Sequence, residues 1–128
     1  MNTNVFSINN NEEIKNALTY FNNFHDSKII SFSICKTNYA KKVERKNDFE
    51  IINAELVLNH SNYEAKYKER NQLVKFCFTN VRKMHFNCDS DFGGLLFDVC
   101  LNHQMGCISI NINGILNLVT DSIKIIEF

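Results

Sequence analysis

The sequence contains no proline and no tryptophan, and only four glycines among its 128 residues. So few glycines leave no phosphate-cradling loop of the G-x-G-x-x-G or G-x-x-x-x-G-K-[ST] kind, which argues against dinucleotide and nucleotide enzymes. No apolar run approaches the roughly 18 residues that a membrane-spanning helix requires. The start, MNTNVFSINNNEE, lacks the basic opening and apolar stretch of a secretion signal, so the expected location is the cytoplasm. Net charge is absent too, since 14 Lys and Arg balance 14 Asp and Glu. The cysteines (Cys35, Cys77, Cys88, Cys100, Cys107) are odd in number and fall mostly in apolar alternating segments. Reduced, mostly buried thiols are expected rather than a disulfide framework.

What is present is heavy use of asparagine, lysine and phenylalanine. The first two fit an AT-rich coding genome, which lowers the value of any single Asn as a functional clue. The length suits one domain, residues 1–128, with one hydrophobic core. Charge is unevenly spread: about −1 over residues 1–35, about +5 over 36–83 and about −4 over 84–128.

Asn11 before Glu12 and Glu13 reads as an N-cap with an acidic first turn. Ile14, Ala17, Leu18 and Phe21 then recur at helical spacing, which predicts a helix over about 12–23. Asn22 and Asn23 tolerate the left-handed conformation that ends helices. From Lys28 the period becomes two, with Ile30, Phe32 and Ile34 expected on one buried face. Residues 37–48 and the stretch HSNYEAKYKERN read as solvated connections around the strand FEIINAELVLN, in which Ile52, Ala54, Leu56 and Leu58 share a face. Val74, Phe76 and Phe78 alternate in the next strand. A short segment through Phe86, an acidic turn DSDFGG and strands near 95–101 and 107–112 follow. Asn113-Gly114 predicts a two-residue type I′ hairpin turn, which needs positive φ at both central positions. SIKIIEF alternates to the end. Together these give an α+β fold, with one N-terminal helix packed on a curved, mainly antiparallel sheet of about seven strands.

His25-Asp26-Ser27 places three residues of hydrolytic chemistry side by side. Catalytic Ser, His and Asp are normally brought together from separate parts of a fold, and the glycine-flanked nucleophile turn is missing. The structural reading is a joint: His25 near the negative helix end, Asp26 and Ser27 satisfying turn backbone, and Phe24 covering the core. No catalytic residue is assigned. His85-x-x-Cys88 and Cys100-x-x-His103 form two ligand pairs at structural-zinc spacing, with Cys107 as a spare. Zinc pairs usually sit on tight knuckles, whereas Cys100 lies within LLFDVCL, where a cysteine behaves as a small apolar residue. No metal or cofactor is therefore expected, with zinc at those four residues as the alternative. Asp89 and Asp91 ahead of Phe92-Gly93-Gly94 lack the context of a calcium loop and read as an acidic turn. Lys36, Lys41, Lys42, Arg45 and Lys46, then Lys66, Lys68 and Arg70, interleave with Tyr39, Tyr63 and Tyr67 in a pattern that could contact phosphates and bases. Glu44, Glu64 and Glu69 interrupt them, which favours solvated connections.

Phe24-His25-Asp26-Ser27-x-Ile29, Phe76-x-Phe78-x-Asn80-Val81, Gly114-x-Leu116 and Ile123-x-Ile125 together resemble small bacterial immunity proteins of polymorphic toxin systems and their uncharacterised relatives. The resemblance spans most of the chain. It implies a helix-plus-sheet domain without catalysis that binds a cognate toxin and occludes its active or substrate-binding surface. The motifs themselves look like structural elements, and the basic middle departs from the acidity of inhibitors that mimic nucleic acid. The expected protein-contact residues are His25 and Asp26 at the joint, Tyr39, Lys41, Lys42, Arg45, Tyr63, Tyr67 and Arg70 in the connections, and Asp89 and Asp91 in the acidic turn. A monomer or homodimer without membrane or nucleic-acid partners is expected. The alternatives are a small metal-dependent or hydrolytic enzyme, and an RNA-binding domain using the basic connections.

Overall fold

The computed structural model describes residues 4–25, 27–38, 50–61, 71–87, 99–112 and 114–128. In chain order they form β1 (Asn4–Ile8), α1 (Asn11–Tyr20), a 3-10 turn (Asn22–Phe24), β2 (Lys28–Asn38), β3 (Glu50–Ser61), β4 (Asn71–Phe86), β5 (Val99–Gln104), β6 (Cys107–Ile112) and β7 (Leu116–Glu127). The strands make one open antiparallel sheet in the order β2-β3-β4-β7-β6-β5, with β1 also paired to β7. The α+β architecture and the N-terminal helix agree with the sequence pattern. The division into strands does not. β1 was not anticipated, and the segments expected as separate strands around Val81 and Val119 belong to the continuous β4 and β7.

The helix forms where expected, but its cap is Asn10 rather than Asn11. The Asn10 Oδ1 accepts the Glu13 N–H at 2.8 Å, and the Glu13 carboxylate in turn accepts the Asn9 N–H at 2.8 Å. Two backbone donors that the helix cannot satisfy internally are thereby paired. Ile14 and Ala17 are buried, Leu18 packs partly against the core, and Phe21 closes the helix at 1% exposure. Left-handed backbone at Asn22 (φ 51), Asn23 (φ 56) and Phe24 (φ 56) then turns the chain, as the two asparagines suggest. That turn drives Phe24 into the core, where its ring stacks on Phe21 at 4.5 Å and tilts against Phe76 at 5.0 Å.

One face of the sheet forms the core with α1. Ala54, Leu56 and Leu58 of β3 and Val74, Phe76 and Phe78 of β4 are buried on it, as their alternation requires. On β2 the expected face holds for Phe32 and Ile34, which lie opposite the buried Leu56 and Ala54, but not for Ile30. Ile29 is buried in place of Ile30, which is about half exposed, because the register with β3 slips between Ile29 and Ser31; Ile34 is also about half exposed, although it lies opposite Ala54. A bulge of this kind inserts one residue and moves the following side chains to the other face.

A second irregularity shapes the middle of the sheet. In β4 the buried positions pass from Phe78 to Val81, and in β7 from Thr120 to Ile123, so both strands change phase at facing positions. The change in β4 is made by Asn80, whose φ is 56, and the register slips again between Val81 and Lys83. Beyond it, Phe86 stacks on Phe32 with ring centroids 5.0 Å apart, although Phe32 is in register with Leu56 and Phe76, ten positions earlier on β4.

Two hairpins close the C-terminal half. Positive φ at both central positions of a two-residue turn occurs at Met105 (φ 53) and Gly106 (φ 78), between Gln104 and Cys107. At the predicted site Gly114 does have φ 73, but Ile112 pairs with Leu116 and the loop is one residue longer. Asn113 lies outside the described residues.

Asn80 holds a conformation that costs a β-branched residue roughly 1–2 kcal/mol, and its side chain is hydrogen-bonded as well. Asn80→Val is expected to destabilise the protein by about 2–3 kcal/mol and Asn80→Gly by less, as read from urea-unfolding midpoints.

Candidate functional site

The sheet face opposite the helix carries polar side chains over a largely apolar surface. In β4, β7, β6 and β5 the side chains that alternate away from the core are Lys83 and His85, Asn117 and Val119, Ser109 and Asn111, and Cys100 and Asn102. Register aligns them in two rows across four strands: His85, Asn117, Asn111, Cys100, and beside it Lys83, Val119, Ser109, Asn102. With strands about 4.8 Å apart, each row spans about 14 Å. Together they line an open groove of about 510 Å³, to which Met84, Ile110 and Leu118 also contribute. Amides, a hydroxyl and two nitrogen-bearing side chains supply donors and acceptors over a floor that includes Val119.

One end of the groove is bordered by the phase change in β4 and β7. The Asn80 Nδ2 donates to Asp121 Oδ2 at 2.6 Å, the Arg82 Nε donates to Asp121 Oδ1, and the Asn80 N–H donates to Asn53 Oδ1 at 3.0 Å. The Arg82 and Asn80 hydrogen bonds hold the Asp121 carboxyl below the usual carboxylate range. Thr120, buried next to it, donates its hydroxyl to the Thr79 carbonyl at 2.6 Å.

A second polar group lies inside the core. The Ser27 Oγ is 2.8 Å from His60 Nδ1, with Ser27 at 0% and His60 at 1% exposure. The imidazole is edge-on to Phe21 and Phe24. Burial pushes its pKa below 6.5, although the Glu127 charge and the Phe21 backbone act the other way. Its Nε2 has no hydrogen-bond partner. Nearby, the buried Glu127 carboxylate accepts from Tyr20 Oη at 2.8 Å and Asn4 Nδ2 at 2.7 Å, which ties α1 and β1 to β7. Burial, with Glu127 adding to it, raises the Tyr20 pKa above 10.0. A serine, a histidine and a carboxylate thus share one region, but neither Ser27 nor His60 is open to a substrate.

The residues expected from sequence are dispersed. His25 is exposed at the end of the 3-10 turn, where its N–H donates to the Asn22 carbonyl at 3.1 Å. The buried histidine at this joint is His60, which the sequence pattern puts at the start of a solvated connection. Continued alternation from Ala54 through Leu56 and Leu58 to His60 is the signal that would have found it. Asp26, Tyr39, Lys41, Lys42, Arg45, Tyr63, Tyr67, Arg70, Asp89 and Asp91 lie outside the described residues. The two basic connections do leave the sheet at opposite ends of β3, at the pairs Asn38 with Glu50 and Ser61 with Asn71. Eleven residue steps separate those ends by about 36 Å.

Of the zinc alternative, Cys88 lies outside the described residues. His85 and Cys100 stand at opposite ends of one groove row, about 14 Å apart, whereas zinc ligands approach the metal to about 2.0–2.3 Å. His103 alternates to the face opposite Cys100, and its N–H donates to Asn11 Oδ1 at 3.2 Å. Among the described residues no three His, Cys, Asp or Glu side chains converge. The expected burial of the thiols is also corrected: Cys35 and Cys100 are exposed, and Cys77 and Cys107 are half-buried. These residues alternate toward the outer face of their strands, whose apolar character comes from the core-facing neighbours. Among the described residues no helix is long and apolar enough to cross a membrane.

Comparison with protein-family models, with curated proteins and with solved structures finds no match.

The buried imidazole gives stability a pH dependence of defined sign. An unfolded histidine titrates near 6.5 and folded His60 titrates lower, so below 6.5 the unfolded chain binds a proton that the folded chain does not. The His60 contribution is complete above that value and declines as pH falls toward the folded pKa. Urea unfolding at about pH 7.5 and about pH 5.5 is expected to show a lower midpoint in acid, with a smaller difference in His60→Asn. Ser27→Ala, which strands the buried Nδ1, is expected to cost about 1–3 kcal/mol at the higher pH.

Proposed function

We propose that this protein is a non-catalytic binding module, most concretely an immunity-type inhibitor that docks on a cognate toxin and occludes its working surface. The observation that carries the reading is the outer face of the sheet, where β4, β7, β6 and β5 present two in-register rows of mostly polar side chains around a largely apolar groove of about 510 Å³. Every described helical residue that is buried packs on the other side, against the core. A face of fixed strands with exposed donors and acceptors suits recognition, because its groups are already held in place before a partner arrives.

The motifs that suggest the immunity family fit this division. Phe24, Phe76, Phe78, Val81, Leu116, Ile123 and Ile125 are core residues, and Asn80 and Gly114 hold left-handed backbone. They build the frame and leave the outer face free to vary with the partner. The sheet in this reading is strongly curved. The Phe32–Phe86 stack supports that shape, because ten residues of straight strand between Phe76 and Phe86 would cover about 33 Å. The proposed location is the cytoplasm and the proposed free state a monomer or homodimer.

Affinity capture of the tagged protein from its source cells, followed by calorimetry with each purified candidate, tests the reading. The expected result is one protein partner that binds stoichiometrically and loses its toxic activity on binding. Recovery of no specific protein partner, or of one whose activity is untouched by saturating amounts of this chain, would overturn it.

A further inference from the structure

We infer that the outer groove receives an extended acidic peptide segment of the partner protein, with Lys83 and His85 holding a carboxylate and the amides of Asn111 and Asn117 engaging the peptide backbone; this rests on the binding-module reading above. Charge is the first argument. Lys83 and His85 project from alternate positions of β4 onto the same face, and both are exposed. Among the described residues neither has a carboxylate partner, whereas the adjacent Arg82 is neutralised by Asp121. The groove lining itself contains a lysine and no Asp or Glu. An anionic ligand group would therefore complete this end of the groove, and the imidazole has an N–H to donate in either protonation state.

The amides supply the second argument. Asn117 lies beside His85 in register and Asn111 beside Asn117. Each side-chain amide carries both a donor and an acceptor, the two groups that a peptide bond presents in reverse; the Asn111 Oδ1 accepts the Gly114 N–H at 3.4 Å, so Asn117 offers both groups and Asn111 its Nδ2 donor. A row of about 14 Å matches about four residues of extended chain at 3.3 Å each. The groove is partly open to solvent, and its lining holds no Phe, Tyr or Trp. A single-stranded nucleic acid would lack the stacking surface that such ligands usually use, which leaves the acidic peptide as the better fit to the same cations.

The test uses the full-length, 15N-labelled protein and three probes: acetyl-Glu-Ala-Glu-Ala-amide, its Gln-for-Glu counterpart, and a short oligouridylate. The acidic peptide is expected to cause saturable shifts at the side-chain amides of Asn111 and Asn117 and at the His85 ring, and to bind more weakly as salt is added. Affinity should fall at least about tenfold for the Gln peptide and for Lys83→Glu, an exposed change expected to leave the circular dichroism spectrum intact. Equal binding of the Gln peptide, shifts centred elsewhere, tighter binding of oligouridylate, or no saturable shift at millimolar peptide would each overturn the inference. Capture of the native partner is run in parallel with Lys83→Glu. A partner retained undiminished by that variant removes the groove from the interface and leaves the binding-module reading standing. Absence of any partner for the unaltered chain removes that reading instead.

Discussion

Strand β7 lies between neighbours, so its peptide groups must find partners on both edges within the sheet. β4 takes one edge over the whole length, from Phe86 opposite Leu116 to Val74 opposite Glu127. The other edge is shared end to end: β6 pairs with Leu116–Thr120 and β1 with Ile123–Glu127. Asp121 and Ser122 fall between those two partners. It is there that the buried phase of β7 shifts, and β4 answers with left-handed Asn80 and a bulge. The Asn80, Arg82 and Asp121 hydrogen bonds occupy groups that the interrupted alternation would otherwise leave unmatched. Because the first described strand, β1, pairs with the last, β7, the sheet depends on contacts of large sequence separation, which favours slow folding.

Polar groups in this protein occupy two environments that make opposite demands. Inside, Ser27 with His60 and Glu127 with Tyr20 and Asn4 are held by specific hydrogen bonds, since a buried polar group without a partner costs about 1–3 kcal/mol. Both sets join elements distant in sequence: the exit of α1 to β3 in one case, and α1 and β1 to β7 in the other. Outside, Lys83, His85, Asn111 and Asn117 are exposed; the Asn111 Oδ1 accepts the Gly114 N–H at 3.4 Å, and among the described residues the other polar groups of these side chains are open to a ligand. The same alternation that buries Ile110 and Leu118 presents Asn111 and Asn117. Core and groove are therefore two sides of one register, and a slip of one residue in β6 or β7 would exchange them.

The helix was legible because its apolar spacing, acidic first turn and terminal asparagines all point the same way. The β3 face and the first half of β4 were legible for a similar reason, as unbroken alternation with one side buried. Legibility failed where alternation is interrupted. Ile29 and Ile30 are chemically equivalent, and only the bulge against β3 decides which is buried. Val74, Phe76, Phe78 and then Val81 read as the end of a strand, although a left-handed asparagine can carry one strand through a change of phase. Met105-Gly106 has only one residue that favours positive φ, so its turn was overshadowed by Asn113-Gly114. The groove could not be read at all. His85, Asn117, Asn111 and Cys100 come from four strands, and nothing local to any of them specifies that β4, β7, β6 and β5 lie side by side in this register.

Catalysis and recognition ask different things of such side chains. General-base and nucleophilic chemistry requires the reacting groups within hydrogen-bond reach of one another and of a substrate. Ser27 and His60 meet the first condition at 2.8 Å but are sealed beneath Phe21 and Phe24. His85 and Cys100 meet the second, since both are exposed, but stand a full groove row apart. Among these candidates proximity and access do not coincide. Recognition has no need of that coincidence, because an extended ligand can collect a charge at one strand and an amide at the next, each at its own distance along the chain. The spacing of about 4.8 Å between strands that keeps His85 from Cys100 is the same spacing that lets one bound segment touch all four.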